Sequence, residues 1–356
     1  KRACGEPRDL RQPAGLSTPW MPWALGAVSA ALIGWIWSSA PLPLVADEAA
    51  YLFQAENFAS GRWSSPAPPL PEFFEQMHVL TSPTFASKYP PGHSLLLVPG
   101  MWLGLPPLIP LLLTGVAGAL VFLLARRVAN PAVGLLSWLL WTTAPGNLVY
   151  RPTFFSEVSS SALWLLGWWA LLQWRDTSRR GWLLVLSAST AWGLLTRPYT
   201  ILFFLVPVGI VVIRWVVAKR VWGDFARALA LGALLLGIVP LWSAKTTGDW
   251  RDLPVLRYNH TTLPSDGLGF DREADPGGRP LPEDQAQVRE NYARLTRAHR
   301  LRSIPQILGI RLMVIGADMW EGTRLFLFAF AAVGLLSLPR EGYFALASAF
   351  LMVLGH

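Results

Sequence analysis

A succession of apolar stretches, several closed by arginine, constrains this chain before any single residue does. Residues 107–125 carry no charge and end on Arg126-Arg127. A helix of about 20 such residues crosses the hydrocarbon core of a bilayer. Further apolar stretches lie at 23–45, 133–144, 156–174, 182–195, 199–213, 225–244, 325–338 and 343–355. A shorter one at 94–105 reads as a re-entrant or interfacial helix. Only 15% of the residues are charged, against about 25% in an ordinary soluble domain. The expected fold is an all-α polytopic membrane protein, a bundle of about nine or more transmembrane helices with two large extracytoplasmic loops.

The formal charge of +8 does not point to nucleic acid, because the basic residues gather at the ends of apolar stretches. Cytoplasmic loops are enriched in Lys and Arg. With the N-terminus inside, the cytoplasmic pieces carry fourteen such residues and the short outer pieces four. The other twelve lie in residues 245–324, where eleven acids offset them. The expected organisation is a cytoplasmic N-terminus at 1–22 and a transmembrane catalytic core at 23–244 that includes a first external loop at 46–92. A long external loop at 245–324 and C-terminal transmembrane helices at 325–356 follow. No cleavable signal is expected, the first stretch being too long for one. The chain stops inside an apolar stretch, so a further segment is expected beyond His356. One cysteine, Cys4, excludes a disulfide framework and a cysteine-based metal site.

This orientation collects the unusual chemistry outside. Asp47-Glu48 follows the first apolar stretch, where burying a carboxylate is costly; Asp47 as the cap of a helix over 48–59 is the structural alternative. Lys88, one of four lysines beside 26 arginines, begins the run Lys88-Tyr89-Pro90-Pro91-Gly92-His93, in which the prolines stiffen the entry to a helix. An ammonium there suits a phosphate, and a snorkelling interfacial lysine is its alternative. Glu157 opens the stretch at 156–174, where a first-turn acid would also favour the helix dipole. Arg151, Arg197, Lys245 and Arg257 are further external cations for a phosphate. Tyr51, Tyr89, His93, Tyr258 and His260 are candidates for substrate contact. His78, His93, His260 and His299 are external but lack a tight metal-ligand spacing. Pro282-Glu283-Asp284 marks a helix start, with Val288, Tyr292 and Leu295 on one face.

An acidic pair ending the first stretch, an external loop and then K-Y-P-P-G-H before a short apolar helix resembles the GT-C glycosyltransferases. The likeness is to the branch of protein O-mannosyltransferases and lipid A aminoarabinose transferases. Arg126-Arg127, Ala144-Pro145 and Glu157 continue the similarity through about residue 215, and Thr246–Trp250 extends it loosely. The resemblance implies an enzyme that takes a sugar from a polyprenyl-phosphate donor on the outer side of the membrane. It makes Asp47 the catalytic acid–base group with Glu48 beside it, Lys88 the residue meeting the donor phosphate and Glu157 a second external acid. Ala50 and Tyr51 stand where the aminoarabinose enzymes carry an arginine, and Ser87 replaces their acid before the lysine. The resemblance brings no certain cofactor, and a divalent metal ion is compatible with the acids. The implied partners are the lipid-linked sugar, the bilayer, and a glycan, lipid or protein acceptor.

Two rival classes make different demands. A lipid or solute transporter or flippase would show charges mid-span and an inverted repeat in hydropathy, and neither is visible. A scaffold presenting residues 245–324 to a partner would explain the loop but not the series Asp47-Glu48, Lys88 and Glu157.

Overall fold

A computed structural model describes residues 18–39, 43–267, 269–275, 277, 280–320, 343, 346, 347 and 349–351. The described chain is mostly helical. The helices are, in order, α1 (Met21–Trp37), α2 (Ala46–Ala59), α3 (Gly92–Trp102), α4 (Leu108–Val128), α5 (Pro131–Thr142), α6 (Pro145–Tyr150) and α7 (Ser156–Thr177). There follow α8 (Arg180–Thr196), α9 (Pro198–Lys219), α10 (Trp222–Leu236), α11 (Ile238–Thr247), α12 (Pro254–Thr261), α13 (Glu283–Ala298) and α14 (Ile304–Trp320). By length and composition, α4, α9 and the α10–α11 stretch Trp222–Thr247 can each cross a membrane, while α1 and α5 are apolar but shorter. The apolar stretch at 325–338 and much of 343–355 lie outside the described residues, as do residues 1–17.

Four expectations change. The first apolar stretch is not a single helix to residue 45: α1 ends at Trp37, and α2 begins at Ala46. Asp47 is not the cap of α2 either, because Val45 holds that position and Asp47 lies in the first turn. The stretch at 225–244 belongs to two helical segments that meet at Gly237. Within the segment expected to be a long loop, α14 adds an apolar helix, whereas α13 starts at the expected Pro282-Glu283 boundary.

Short side chains let the helices approach closely. A Cβ on Gly26 of α1 would lie 2.4 Å from the Gly115 carbonyl oxygen of α4, so these backbones meet as in small-residue membrane interfaces. Ser29 and Thr142 join α1 to α5 through a 2.9 Å hydrogen bond between their hydroxyls. Asn130 caps α5 by accepting from the Val133 N–H at 3.0 Å, with Pro131 at the first helical position, where its missing N–H costs nothing. Helices α7, α8 and α9 share an aromatic core in which Trp168 meets Phe204 edge-on at 5.5 Å.

The segments between α2 and α3 position the site. Strands β1 (Ser65–Pro66), β2 (Val79–Leu80) and β3 (Thr84–Ser87) form a small antiparallel sheet in the order β1-β3-β2. Ser65 lies opposite Phe85, and Val79 opposite Ser87. Leu80 then packs with Tyr258 and Leu263, against which Met77, Val288 and Tyr292 lie; Leu295, expected on that face of α13, is exposed. The two polar segments therefore close on each other. Gly92 fixes the start of α3, because a Cβ there would sit 2.7 Å from the Leu195 carbonyl. The Gly92 carbonyl in turn accepts from the Trp192 indole N–H at 3.0 Å. The glycine of K-Y-P-P-G-H is thus required by helix contact.

Candidate active site

The site starts from the periodicity of α2. Glu48, Tyr51, Ala55 and Phe58 are buried at the three- and four-residue spacing of one helix face, and this rotation leaves Asp47 half-exposed at its margin. Glu48 is 2% exposed. Its two carboxylate oxygens accept from the backbone N–H of Phe154 at 2.8 Å and of Leu44 at 3.1 Å. Glu48 therefore ties the start of α2 to the segment before α7.

Asp47 instead faces the small sheet. The Tyr89 hydroxyl donates to its Oδ1, and His78 Nε2 lies 3.4 Å from its Oδ2. Burial by itself would raise the carboxyl. The hydrogen bonds and positive potential supplied by His78, Tyr89 and Lys88 outweigh it and bring Asp47 down to about 2. Asp47 is consequently an ionised hydrogen-bond acceptor at neutral pH.

Lys88 is buried, with its ammonium 3.4 Å from Asp266 Oδ2 and 4.8 Å from the centre of the Tyr258 ring. Burial holds this lysine below its ordinary pKa, opposed by Asp266 and Asp47. Tyr51 stacks on Tyr89 at 4.5 Å and shares a 2.8 Å hydrogen bond with Ser156. Ser156 Oγ lies 3.4 Å from Arg197, whose guanidinium pairs with Glu157. An unbroken series of contacts thus runs from His78 and Asp47 through Tyr89, Tyr51 and Ser156 to Arg197 and Glu157.

Glu157 and Arg197 line a cavity of about 520 Å³. Trp141, Trp164 and Leu165 give it apolar walls, and Ser160, Ser161 and Thr200 add hydroxyls. Arg151 stands behind that wall, stacked at 4.6 Å on Trp141 and donating to Ser161 at 2.8 Å. Its Nη1 is buried without a hydrogen-bond partner among the described residues. The arrangement combines a largely apolar chamber, cations at its edge and an ionised carboxylate a few side chains away.

Residues 107–243 match the family model described as Dolichyl-phosphate-mannose-protein mannosyltransferase. Over that stretch, less than half of its length, the chain is similar to the GT-C-type glycosyltransferases of that family. No curated protein and no solved structure matches it. The matched stretch contains Arg151, Glu157, Arg197 and most of the cavity wall. Asp47, His78 and Lys88 precede it, and Asp266 follows it. The chain is a multi-pass membrane protein.

Other candidate positions are placed elsewhere or differently. His93 is buried, its Nε2 donating to the Phe154 carbonyl at 2.8 Å and its Nδ1 accepting from Ser159 at 2.7 Å. Tyr258 is buried beneath Lys88 and accepts from the His78 backbone N–H at 2.9 Å. Arg257 pairs with Asp252, while Lys245 and His260 are exposed. Among the described residues no three His, Cys, Asp or Glu side chains converge as metal ligands. Sequence reasoning passed over two members of the site, His78 and Asp266. His78 was visible only as an external histidine, and no signal near Asp266 distinguished it from other loop acids.

Proposed function

We propose that this protein transfers a sugar from a polyprenyl-phosphate donor to an acceptor hydroxyl, with Asp47 as the general base and inversion at the anomeric carbon. The observation that carries this reading is the unbroken series of contacts from Asp47 through Tyr89, Tyr51 and Ser156 to Arg197, which edges a largely apolar cavity. The aromatic and aliphatic walls suit a lipid chain. Arg197, with Arg151 behind it, suits the phosphate, and Lys88 supplies positive charge on the other side of Asp47. Glu157 orients Arg197, and Glu48 holds α2 in place. Tyr89, backed by the buried Tyr51, lies beside Asp47 and offers a surface on which a sugar ring would rest.

The acceptor oxygen attacks the anomeric carbon while the bond from that carbon to the phosphate oxygen breaks. The polyprenyl phosphate leaves with the bonding electron pair, and the hydroxyl proton passes to Asp47. A carboxylate near pKa 2 is a weak base towards a free alcohol, but the hydroxyl acidifies as its oxygen bonds to carbon. Cations offset the charge that develops on the phosphate, so no covalent intermediate or metal is needed. The acceptor class is a glycan, lipid or protein hydroxyl.

The direct test is transfer of radiolabelled mannose from polyprenyl-phosphate mannose by the purified protein, offered membrane glycans, lipids and proteins. Label appearing in none of them, and none released to water, would remove the reading. A flippase would instead move the intact donor between leaflets without cleaving it.

On this reading the site lies on the extracytoplasmic face of the plasma (inner) membrane, in a bundle of about nine or more spans, and the basic bias of the short loops supports that orientation. Leu295 is exposed on α13, so Leu295→Cys, in a background with Cys4→Ser, is expected to react with an impermeant thiol reagent in spheroplasts. Labelling only after lysis would reverse the orientation.

A further inference from the structure

We propose that His78 is a positioning residue for sugar transfer, its Nε2–H aiming and holding the Asp47 carboxylate for the acceptor hydroxyl. The proposal rests on the glycosyltransferase reading for its chemistry and on the geometry around Asp47 for its residues.

His78 is held in a conformation that a histidine adopts at a cost. Its φ is +66°, a left-handed region uncommon for residues other than glycine, though histidine enters it more often than most. Such strain persists where the surroundings over-determine it, and it gathers at functional sites. Here the backbone is pinned on both sides: the His78 N–H donates to Tyr258 Oη, and the His78 carbonyl accepts from the Lys88 N–H, each at 2.9 Å. Those two bonds come from different parts of the chain, and together they fix the direction in which the imidazole leaves the loop.

The ring itself is buried, at 7% exposure. Nε2 faces Asp47 at 3.4 Å, while Nδ1 is buried with no hydrogen-bond partner among the described residues. A proton on Nε2 makes that contact attractive. His93 gives the contrast within the same site, because both of its ring nitrogens are bonded and its role is packing. His78 leaves one nitrogen unsatisfied and accepts a strained backbone, and among the described residues its polar side-chain contact is with the Asp47 carboxylate.

That contact complements Tyr89. With the Tyr89 hydroxyl on Oδ1 and His78 on Oδ2, the carboxylate cannot rotate, and each oxygen keeps a second lone pair for an incoming hydroxyl. The groups facing Asp47 are His78 before β2, Lys88 and Tyr89 after β3, Tyr51 on α2 and Tyr292 on α13. Loss of the His78 donor leaves burial less opposed, so the Asp47 carboxyl should titrate at higher pH.

Three variants of the full-length protein separate the donor from the backbone role. His78→Ala removes the side-chain donor. His78→Gln restores an N–H near the Nε2 position, whereas His78→Asn tolerates positive φ but is too short to reach Asp47. With polyprenyl-phosphate mannose as substrate, His78→Ala is expected to lower kcat on the order of 10- to 100-fold, the scale of a misplaced catalytic group, with little change in KM for the donor. His78→Gln should recover most of that loss, and His78→Asn should not. Equal losses in all three, recovery by Asn alone, or wild-type kcat in His78→Ala would each overturn the proposal.

A second readout needs no turnover. Infrared titration of the carboxyl band that disappears in Asp47→Asn should shift to higher pH in His78→Ala, and an unmoved band would overturn the proposal. If the wild-type protein cleaves no donor while this band shifts, the transfer reading fails and the His78–Asp47 contact stands.

Discussion

Asp47→Asn is expected to lower sugar transfer by about 10²–10⁴-fold while donor binding persists, the loss typical of a positioned base. The substitution is nearly isosteric and keeps an oxygen for the Tyr89 or His78 donor. Helix capping offers no competing explanation for a loss, since Val45 and not Asp47 occupies the cap position of α2. The measurement is single-turnover transfer of label from polyprenyl-phosphate mannose, paired with equilibrium binding of the same donor. A wild-type rate would sink the assignment and direct attention to Glu157. Glu48 is a poorer substitute, because both of its oxygens are already committed to backbone N–H groups. Removing that carboxylate would leave the buried Phe154 N–H unpaired, at about 1–3 kcal/mol, so its loss would be felt as lost fold before lost chemistry.

The contrast between Asp47 and Glu48 marks how far the sequence could be read. That two adjacent acids border an apolar stretch is plain from composition. Which of them is buried depends on where α2 starts. Its Ala46 start puts Glu48 on the face that carries Tyr51, Ala55 and Phe58. The spans α4 and α9 were legible because long uncharged runs closed by basic residues have few other uses. The break between α1 and α2 was also written in the sequence, in Pro41 and Pro43, which end a helix but are overlooked when only charge is counted; the break at Gly237 leaves less record, a single glycine in an apolar run.

The cation set divides for a similar reason. Arg151, Arg197, Lys245 and Arg257 are equivalent as external charges, but only tertiary contact brings Arg197 to the cavity and leaves Arg257 with Asp252. His78 required still more, because neither its positive φ nor the Tyr258 and Lys88 bonds that impose it leave a local sequence signal. Contacts between segments nearly 180 residues apart, such as Lys88 with Asp266 and His78 with Tyr258, lie beyond any periodicity argument.

Arg197→Ala is expected to reduce kcat by about 10²–10³-fold, the scale of losing one preorganised donor aimed at developing charge. Arg197 joins α8 to α9, lines the cavity and reaches both Ser156 and Glu157. Glu157 is more than half exposed, so a lipid phosphate arriving beside it would compete for the guanidinium instead of meeting a sealed ion pair. Lys88 differs: it is buried against Asp266, and its charge is already matched. Lys88→Ala should therefore cost less than Arg197→Ala in kcat, although it loosens the packing between the two polar segments. Arg197→Lys should recover only part of the rate, because a point charge replaces a planar fork. Glu157→Gln frees the guanidinium and should tighten donor binding while transfer continues. Both effects are read from donor titration and single-turnover transfer on the same preparations. Should Arg197→Ala transfer sugar normally while Lys88→Ala fails, the phosphate belongs on the Lys88 side of Asp47, and the cavity beside Arg197 would need another occupant.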